Sequence, residues 1–236
     1  MSNYDNPIEL APINRDRQTA FLGSTVLPKK IFLVRHGTSE LNEEKFVSGQ
    51  LDPSLSEKGK EQARFLAGIL RNEPLTGIHT STLSRTVETA RPIAVQHGLP
   101  ITQSDALKEI HMGILQGRYR DHRDVEAQSL WALRKANPID FRIPGGESYA
   151  DLKQRVVPAL RSILGKEGGG VILIVGHRNT NRVILETLLN WTEIQAINAV
   201  PRAKHLYEIY PGPDPRCNTI LLTGKKTGIV IEGFLT

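Results

Sequence analysis

Two short apolar runs in the sequence each end at a histidine. The first, residues 31–34, is followed by Arg35-His36-Gly37, and the second, residues 171–175, is followed by Gly176-His177. Continuous β-branched and aliphatic runs of this length are typical of strands that are buried on both faces of a parallel sheet. Ligands bind beyond the carboxyl ends of such strands. If the two strands are neighbours, we expect Arg35, His36 and His177 to meet in one pocket.

The length and composition indicate an ordinary soluble protein. A chain of 236 residues can bury a sizeable core without disulfide bonds, and no apolar run approaches the ~20 residues that span a bilayer. The single cysteine, Cys217, and the lack of a secretory signal predict a cytoplasmic location. The net charge of +5 favours anionic ligands, but it is spread along the chain without basic tracts. We therefore expect neither a nucleic-acid partner nor a membrane partner.

The chain divides into two unequal parts. Residues 1–30 lack clear periodicity and contain three prolines, so we expect an N-terminal extension that drapes over the domain or is mobile. Residues 31–236 are predicted to form a single domain, because apolar runs alternate with amphipathic stretches in the pattern of an α/β fold.

Capping residues and turn formers place the secondary structure more closely. Further strands are predicted at residues 77–80, 206–210, 219–222 and 229–231, the last two separated by a turn at Gly224. Helices are predicted after four candidate caps: Ser56 for a helix to Leu70, Ser81 or Thr82 to Gln96, Ser148 with Asp151 to Leu164, and Asn179 or Thr180 to Leu189.

The residues after the first strand are suited to binding an oxyanion. Arg35 offers a rigid fork of donors that matches phosphate oxygens. Gly37 lets the backbone turn tightly and approach a ligand. Thr38, Ser39 and Asn42 then supply neutral hydrogen-bonding groups. The segment is therefore predicted to form an anion cradle beside the imidazole of His36.

Five separated motifs follow one another in the order of a known family. They are Arg35-His36-Gly37, residues 49–59 (GQLDPSLSEKG), residues 81–90 (STLSRTVETA), residues 107–117 (LKEIHMGILQG) and Gly176-His177. This series resembles the histidine phosphatase superfamily, also called the phosphoglycerate mutase-like family, from about Ile31 to the end of the chain. The resemblance implies a three-layer α/β/α sandwich around a mostly parallel sheet.

The resemblance also implies roles for individual residues. It makes His36 the nucleophile and Glu109 the proton donor, and it assigns binding of the phosphoryl group to Arg35, Arg85 and His177, with Asn42 assisting. These roles agree with elementary chemistry, because a neutral imidazole can attack phosphorus while guanidinium groups stabilise the transferring oxygens. A carboxylic acid can give its proton to the leaving oxygen and later take one from water. Such a reaction requires no metal ion.

Three activities remain open at this stage. The short insert between Gly117 and Ser148 favours a phosphomonoester hydrolase that acts on a small anionic phosphorylated metabolite. A cofactor-dependent phosphoglycerate mutase, primed by 2,3-bisphosphoglycerate, is the alternative, since residues 109–117 and Asn179 are similar to those enzymes. A third alternative is a non-catalytic relative that binds a phosphorylated ligand. The hydrolase itself would need no cofactor.

The segment Gly176-His177-Arg178-Asn179 departs from the family pattern, in which glycine usually follows the histidine. Arg178 is therefore a candidate contact for a second anionic group of the substrate. Arg118, together with Arg120 and Arg123, is a candidate for the rim of the same pocket, although these side chains could equally form a solvated face. The oligomeric state is open, and a homodimer is compatible with the sequence.

Overall fold

The computed structural model describes residues 26–222 and 228–235. In this part of the chain, seven strands form one mixed sheet in the order β3-β2-β4-β1-β5-β6-β7. The strands are β1 (Lys30–Arg35), β2 (Gly77–Thr80), β3 (Ile101–Gln103), β4 (Val171–Gly176), β5 (His205–Tyr210), β6 (Arg216–Leu221) and β7 (Val230–Glu232). The first four in sheet order pair in parallel, and the pairings that involve β5, β6 and β7 are antiparallel.

The two histidine-terminated runs are adjacent strands, as the sequence predicts. β1 pairs with β4 in parallel, with Lys30 opposite Val171 and Arg35 opposite Gly176. The register continues past the strand ends, where the His36 amide donates to the carbonyl oxygen of Gly176. Both chains therefore leave the sheet at the same edge and deliver their histidines side by side.

Helices cover both faces of the sheet, which confirms the three-layer α/β/α architecture. They are α1 (Glu40–Glu43), α2 (Glu57–Leu70), α3 (Ser84–His97), α4 (Val125–Ala136), α5 (Tyr149–Lys166), α6 (Arg178–Leu189) and α7 (Glu193–Asn198). Successive β1 residues point to opposite faces. Ile31 and Leu33 pack into one core with α5, α6 and α7, whereas Phe32 and Val34 pack into a second core with α2 and α3.

Two of the four predicted helix caps are observed. The Ser56 side chain accepts a hydrogen bond from the Gly59 amide at the start of α2. Ser148 and Asp151 form a reciprocal capping box at the start of α5. These caps are readable from sequence because both partners lie within one turn of each other.

The other two predicted caps are wrong. Helix α3 begins later than expected, at Ser84, because the Asp52 carboxylate accepts from the Ser84 amide and hydroxyl. Helix α6 begins at Arg178, with His177 as its N-cap residue and no side-chain cap. The Thr180 hydroxyl instead donates to the carbonyl oxygen of Lys108, so it joins the helix to a distant loop.

The sequence did not predict strand β3 or helix α4. β3 has three residues, and α4 has a weak apolar stripe in which Ala127 is the buried residue. β1 begins at Lys30, and residues 1–25, which make up most of the expected N-terminal extension, lie outside the described residues, as does Gly224. Within the described part of the chain, no helix has the length and apolar character needed to cross a membrane.

Candidate active site

His36 lies at the end of β1 with its ring orientation fixed by the next residue. Its Nδ1 atom is 2.7 Å from the carbonyl oxygen of Gly37. A carbonyl can only accept, so Nδ1 carries the proton and Nε2 keeps its lone pair. Burial, followed by the nearby charges of Arg85 and Arg35, lowers the pKa of His36 well below its usual value. The imidazole is therefore neutral and nucleophilic at neutral pH.

Gly37 is required by the close approach of another backbone segment. A Cβ atom at this position would lie 2.7 Å from the carbonyl oxygen of Gly59, in the first turn of α2. The Gly37 amide also donates to the hydroxyl of Thr89 on α3. The turn after His36 is thus held by helices on one face of the sheet, which fixes the position of the ring.

His177 faces His36 from the end of β4. The ring centroids are 5.1 Å apart and the ring planes are tilted by 60°. The Nε2 atom of His177 forms a 2.8 Å hydrogen bond with the hydroxyl of Ser81, which follows β2. Burial is the largest cause that lowers the pKa of His177 well below its usual value, and Arg85 is the next. Its Nδ1 atom is buried and has no hydrogen-bond partner among the described residues.

Arg85 brings a buried positive charge to this pair. The side chain is 1% exposed, and its guanidinium donates to the carbonyl oxygens of Leu51 (2.6 Å) and Gly49 (2.7 Å). Burial lowers the pKa of Arg85 to about 10, and that of Arg35 also to about 10. Both groups therefore stay charged at neutral pH. The Nε atoms of both side chains are buried without a partner among the described residues.

Glu109 lies on a loop that several contacts hold in place. Its carboxylate accepts from the backbone amides of Ile110 (2.9 Å) and Asn179 (3.2 Å). The Arg155 guanidinium donates to the carbonyl oxygens of Ala106, Lys108 and Glu109, each at 2.9 Å. Arg155 is itself oriented by two hydrogen bonds to the Glu147 carboxylate. The backbone on either side of Glu109 is therefore fixed by side chains from α5 and α6 and their preceding loops.

Gln50 connects the loop that carries Glu109 to the loop that holds Arg85. Its side-chain amide donates to the carbonyl oxygen of Glu109, and its backbone amide donates to the side chain of Gln116. The Gln50 loop also provides both carbonyl acceptors of Arg85. A shift of either loop would therefore displace both the carboxylate and the guanidinium.

Two cavities open on this cluster. The first, about 520 Å³, is lined by Arg35, His36, Thr38 and Asn42, together with Lys45, Phe46 and Arg120 among others. The second, about 330 Å³, is lined by Arg35, Glu109, Asn179, Arg178, Arg182, Arg120, Arg134 and Trp131 among others. Arg35 and Arg120 belong to both walls. His177 and Arg85 line neither of these two cavities; the ring contact of His177 with His36 and the effect of the Arg85 charge on the pKa values of both histidines place them against His36.

Thr38, Ser39 and Asn42, the candidate anion-binding residues that follow Gly37, differ in their surroundings. The Thr38 hydroxyl donates to the Gln62 side chain, and the Asn42 amide lies 3.4 Å from the Ser48 hydroxyl. Thr38 and Asn42 nevertheless line the first cavity. Ser39 is fully buried, and its hydroxyl oxygen has no partner among the described residues.

The rim arginines separate into two groups. Arg178 and Arg120 line the second cavity. Arg118 does not line either of these two cavities, because its guanidinium binds the carboxylates of Asp124 and Glu126. Arg123 is likewise paired, with Asp121, and lies over the Tyr119 ring. Arg118 and Arg123 therefore belong to a solvated face, which is the second of the two possibilities that the sequence left open for them.

Sequence reasoning missed several residues of the site. The sequence pattern indicates Ser81 as a helix cap, and it does not single out Arg155. Trp131 and Arg134 lie on helix α4, which the sequence did not predict, so no sequence pattern indicated that they line the second cavity. Arg178 lies before the predicted helix, which was expected to begin after Asn179 or Thr180, so only the observed helix from Arg178 shows that Arg182, four residues later, shares its face.

The arrangement can hold and attack a tetrahedral oxyanion. A neutral imidazole nitrogen with a free lone pair lies beside a second imidazole, the buried guanidinium group of Arg85 and the partly exposed one of Arg35, and a carboxylate lines the adjoining cavity. Donors placed around a transferring phosphoryl group stabilise the charge that develops on its oxygens.

Comparison with known proteins supports this interpretation. Residues 31–208 match the family model of the histidine phosphatase superfamily (branch 1). A Salmonella choleraesuis protein named "Probable phosphoglycerate mutase GpmB" is 37% identical over 168 residues, which cover 70% of this chain and 78% of the relative. A mycobacterial glucosyl-3-phosphoglycerate phosphatase, solved with VO3, superimposes with a TM-score of 0.69 at 25% identity, covering 77% and 90% of the two chains. The Shigella flexneri alpha-ribazole phosphatase has the same fold, with a TM-score of 0.71 at 23% identity over 85% of this chain and 98% of that one. The chain therefore belongs to the histidine phosphatase superfamily.

Proposed function

We propose that the protein is a phosphomonoester hydrolase that acts on a small anionic phosphorylated metabolite through a phosphohistidine at His36. The observation that supports the phosphohistidine step is the state of the His36 ring. Its Nδ1 proton is directed to the Gly37 carbonyl, its Nε2 atom is unprotonated, and burial keeps the ring neutral. Such a nitrogen is ready to attack phosphorus without a separate base.

In the first step, Nε2 of His36 forms a bond to phosphorus and the ester bond to the leaving oxygen breaks. Glu109 gives a proton to that oxygen, so an alcohol leaves. The phosphorylated ring carries a positive charge, which the hydrogen bond from Nδ1 to the Gly37 carbonyl stabilises. Arg35, Arg85 and His177 bind the phosphoryl oxygens throughout.

In the second step, water attacks phosphorus and the bond to Nε2 breaks. Glu109 accepts a proton from the attacking water, and inorganic phosphate leaves. The histidine returns to its neutral form with Nδ1 still protonated. Splitting one difficult displacement into two easier ones, with acid and base assistance, is the physical source of the acceleration.

The second candidate is a phosphoglycerate mutase, in which the phosphohistidine is transferred to a second hydroxyl instead of water. The similarity to GpmB favours it. Hydrolysis is favoured by the similarity to the mycobacterial phosphatase and by the short segment between Gly117 and Ser148, whose single regular element among described residues is α4. The chemistry at His36 is common to both.

The test uses the purified protein with p-nitrophenyl phosphate, 3-phosphoglycerate and 2,3-bisphosphoglycerate, and it measures release of phosphate and formation of 2-phosphoglycerate. Phosphate release without isomerisation supports the proposal. Isomerisation that depends on 2,3-bisphosphoglycerate contradicts it in favour of the mutase. Tight binding of phosphate without either reaction identifies a non-catalytic binding protein, and His36→Asn is the negative control.

A further inference from the structure

Phe46 presents an aromatic ring to the first cavity, which is also lined by His36. The side chain is half buried, and among the described residues it packs into neither hydrophobic core. Isolated apolar side chains are common on protein surfaces and need no explanation by themselves. This ring, however, lies on the wall of the cavity that holds the proposed nucleophile, and the fold holds it there by several contacts.

Phe46 is the outermost member of a three-layer stack. The Phe46 and Tyr119 rings are stacked, with centroids 4.3 Å apart and planes inclined by 24°. The guanidinium carbon of Arg123 lies 3.8 Å from the centroid of the Tyr119 ring. Two groups this close to one ring cannot share a face, so Phe46 and Arg123 lie on opposite faces of Tyr119. Two hydrogen bonds of 2.8 Å from Arg123 to the Asp121 carboxylate fix the back of the stack.

The backbone around Phe46 is held on both sides. The Phe46 amide donates to the Leu41 carbonyl oxygen (2.9 Å) in the turn that ends α1, where Lys45 adopts the left-handed conformation with a φ of 66°. An antiparallel β-bridge pairs Phe46 with Tyr119, and beside it the Arg120 amide donates to the Lys45 carbonyl oxygen (3.0 Å). The ring is therefore positioned before a ligand arrives, and such a preorganised surface loses little conformational entropy on binding.

The rest of the first cavity is polar. Among the described residues that line it, apolar side chains come from Phe46 and Ala203, whereas the others, Gly37 apart, carry polar or charged groups, including Asn42 and Asp121. A saturated group would cover these polar atoms without pairing them, which is unfavourable. An aromatic ring suits this wall better, because its face packs on Phe46 while its electropositive edge, or the polar atoms of a heteroaromatic ring, meet the polar groups.

The organic part of a substrate begins close to this ring. Arg35 and Arg120 line both cavities, so the first cavity adjoins the second, in which Glu109 lies. The leaving oxygen of the proposed reaction is bonded to the phosphoryl group at His36 and takes its proton from Glu109. The organic group therefore starts where the two cavities meet, and a ring on a short linker can lie against Phe46.

We propose that the Phe46 ring is a stacking surface for an aromatic or heteroaromatic ring of the leaving group, which makes Phe46 a specificity-determining residue. The substrate class is a phosphomonoester whose alcohol carries a planar ring on a short linker. Tyr119 is a positioning residue that acts through Phe46. The inference rests on the proposed function, in that the phosphoryl group is held at His36.

The test measures binding of three phosphonates, which cannot be hydrolysed. Methylphosphonate has no ring, cyclohexylmethylphosphonate adds a puckered saturated ring, and benzylphosphonate adds a planar ring with the same number of carbons. Calorimetry gives the affinity of the full-length protein for each. We expect benzylphosphonate to bind roughly tenfold more tightly than methylphosphonate, and roughly threefold more tightly than cyclohexylmethylphosphonate. The saturated ring is the more hydrophobic of the two, so hydrophobicity alone predicts the opposite order, and that order would overturn the proposal.

Variants then locate the effect. Phe46→Leu keeps an apolar side chain but removes the ring, so the ratio of benzyl to cyclohexylmethyl affinity should fall to one or below, with the methylphosphonate affinity unchanged. Tyr119→Leu should lower the ratio part of the way, because it removes the support behind Phe46. An unchanged ratio in Phe46→Leu would overturn the proposal.

Two further variants serve as controls. Phe46→Tyr keeps the ring face and should keep the ratio, so the proposal stays testable if Phe46→Leu fails to fold; loss of the ratio in a folded Phe46→Tyr would contradict stacking. Tyr210→Leu is the matched control for loss of a half-buried aromatic ring, and it should leave the ratio unchanged. Tyr210 follows Ile209, which pairs with Ile31, so it lies at the end of the sheet opposite His36.

The two hypotheses fail in different ways. If p-nitrophenyl phosphate and benzyl phosphate are not hydrolysed but the affinity ratio exceeds one and depends on Phe46, the hydrolase is wrong and the stacking surface stands. If hydrolysis occurs but the ratio is one or below in the wild type, the hydrolase stands and the stacking surface is wrong.

Discussion

The guanidinium of Arg155 lies 2.9 Å from the carbonyl oxygen of Glu109 and donates a hydrogen bond to it. Arg155 makes this contact from α5 and does not line either cavity. It therefore acts on the proposed chemistry through Glu109, as a positioning residue. Replacement of Arg155 should therefore slow a reaction most when the leaving group needs the proton that Glu109 supplies.

Replacement of Arg155 by Lys should slow the hydrolysis of alkyl phosphates more than that of p-nitrophenyl phosphate. An alkoxide needs a proton to leave, whereas p-nitrophenolate leaves readily without one, and general acid catalysis contributes ~10²- to 10⁴-fold. We expect kcat for 3-phosphoglycerate to fall about tenfold or more and kcat for the aryl ester to fall much less. Equal losses on both substrates would show that Arg155 has only a general structural role.

Ser81→Ala should impair the reaction by releasing the ring of His177. The variant loses the 2.8 Å hydrogen bond to Nε2, which is worth about 0.5–1.5 kcal/mol. We expect a decrease of roughly twofold to tenfold in kcat/KM. Thr82→Ala is the matched control, because the Thr82 hydroxyl bonds to the exposed Asp105 instead. Steady-state kinetics of the two variants test this prediction. Equal kcat/KM values for Ser81→Ala and Thr82→Ala would contradict the role of Ser81.

Arg85→Lys should be a severe change although it conserves the charge. The ammonium group cannot bridge the Leu51 and Gly49 carbonyls and also present a planar donor to the phosphoryl group. Loss of one transition-state donor typically reduces kcat ~10²- to 10³-fold. Arg91→Lys, on the same helix but exposed, should keep wild-type kinetics. Near-normal turnover of Arg85→Lys would remove Arg85 from the mechanism.

The stability of the free protein should fall at mildly acidic pH. The folded state holds His36 and His177 with lowered pKa values, so below about pH 6.5 the unfolded chain binds protons that the folded chain does not. Each histidine should then contribute a slope of up to ~1.4 kcal/mol per pH unit to the free energy of unfolding, with stability decreasing as the pH falls. The window extends from about pH 6.5 down to the lowered pKa values.

Urea unfolding of the wild type and of His36→Asn between about pH 5 and pH 7 measures this effect. The variant lacks the contribution of His36 and should show a shallower slope. Parallel curves for the two proteins would contradict the buried, neutral state of His36.

The central part of the fold was predictable because its signals are local. A continuous apolar run predicts a buried strand whatever its partners are, and β1 and β4 follow this rule. The capping box of Ser148 and Asp151 was recognisable because both partners lie within one turn. His36 and His177 directly follow such strands, whereas Glu109 lies on a loop between two short 3-10 helices and was identified through the family motif.

The unpredicted features depend on contacts between distant segments. The start of α3 is set by Asp52, which lies 32 residues before Ser84. Thr180 resembles a helix cap in sequence but bonds to Lys108, 72 residues away. The second cavity is lined by residues of α4 and α6. No local sequence pattern indicates that two helices lie on opposite sides of one cavity. The sequence could therefore nominate Arg178, but not Trp131 or Arg134.

The most direct test of the account is to trap the covalent intermediate. The protein is mixed with substrate, quenched in alkali, digested and analysed by mass spectrometry, because phosphohistidine survives alkali better than acid. We predict a peptide that carries one phosphoryl group on His36, which disappears on brief acid treatment and is absent from His36→Asn. An active enzyme in which His36 is never phosphorylated, or in which His36→Asn retains turnover, would contradict the account.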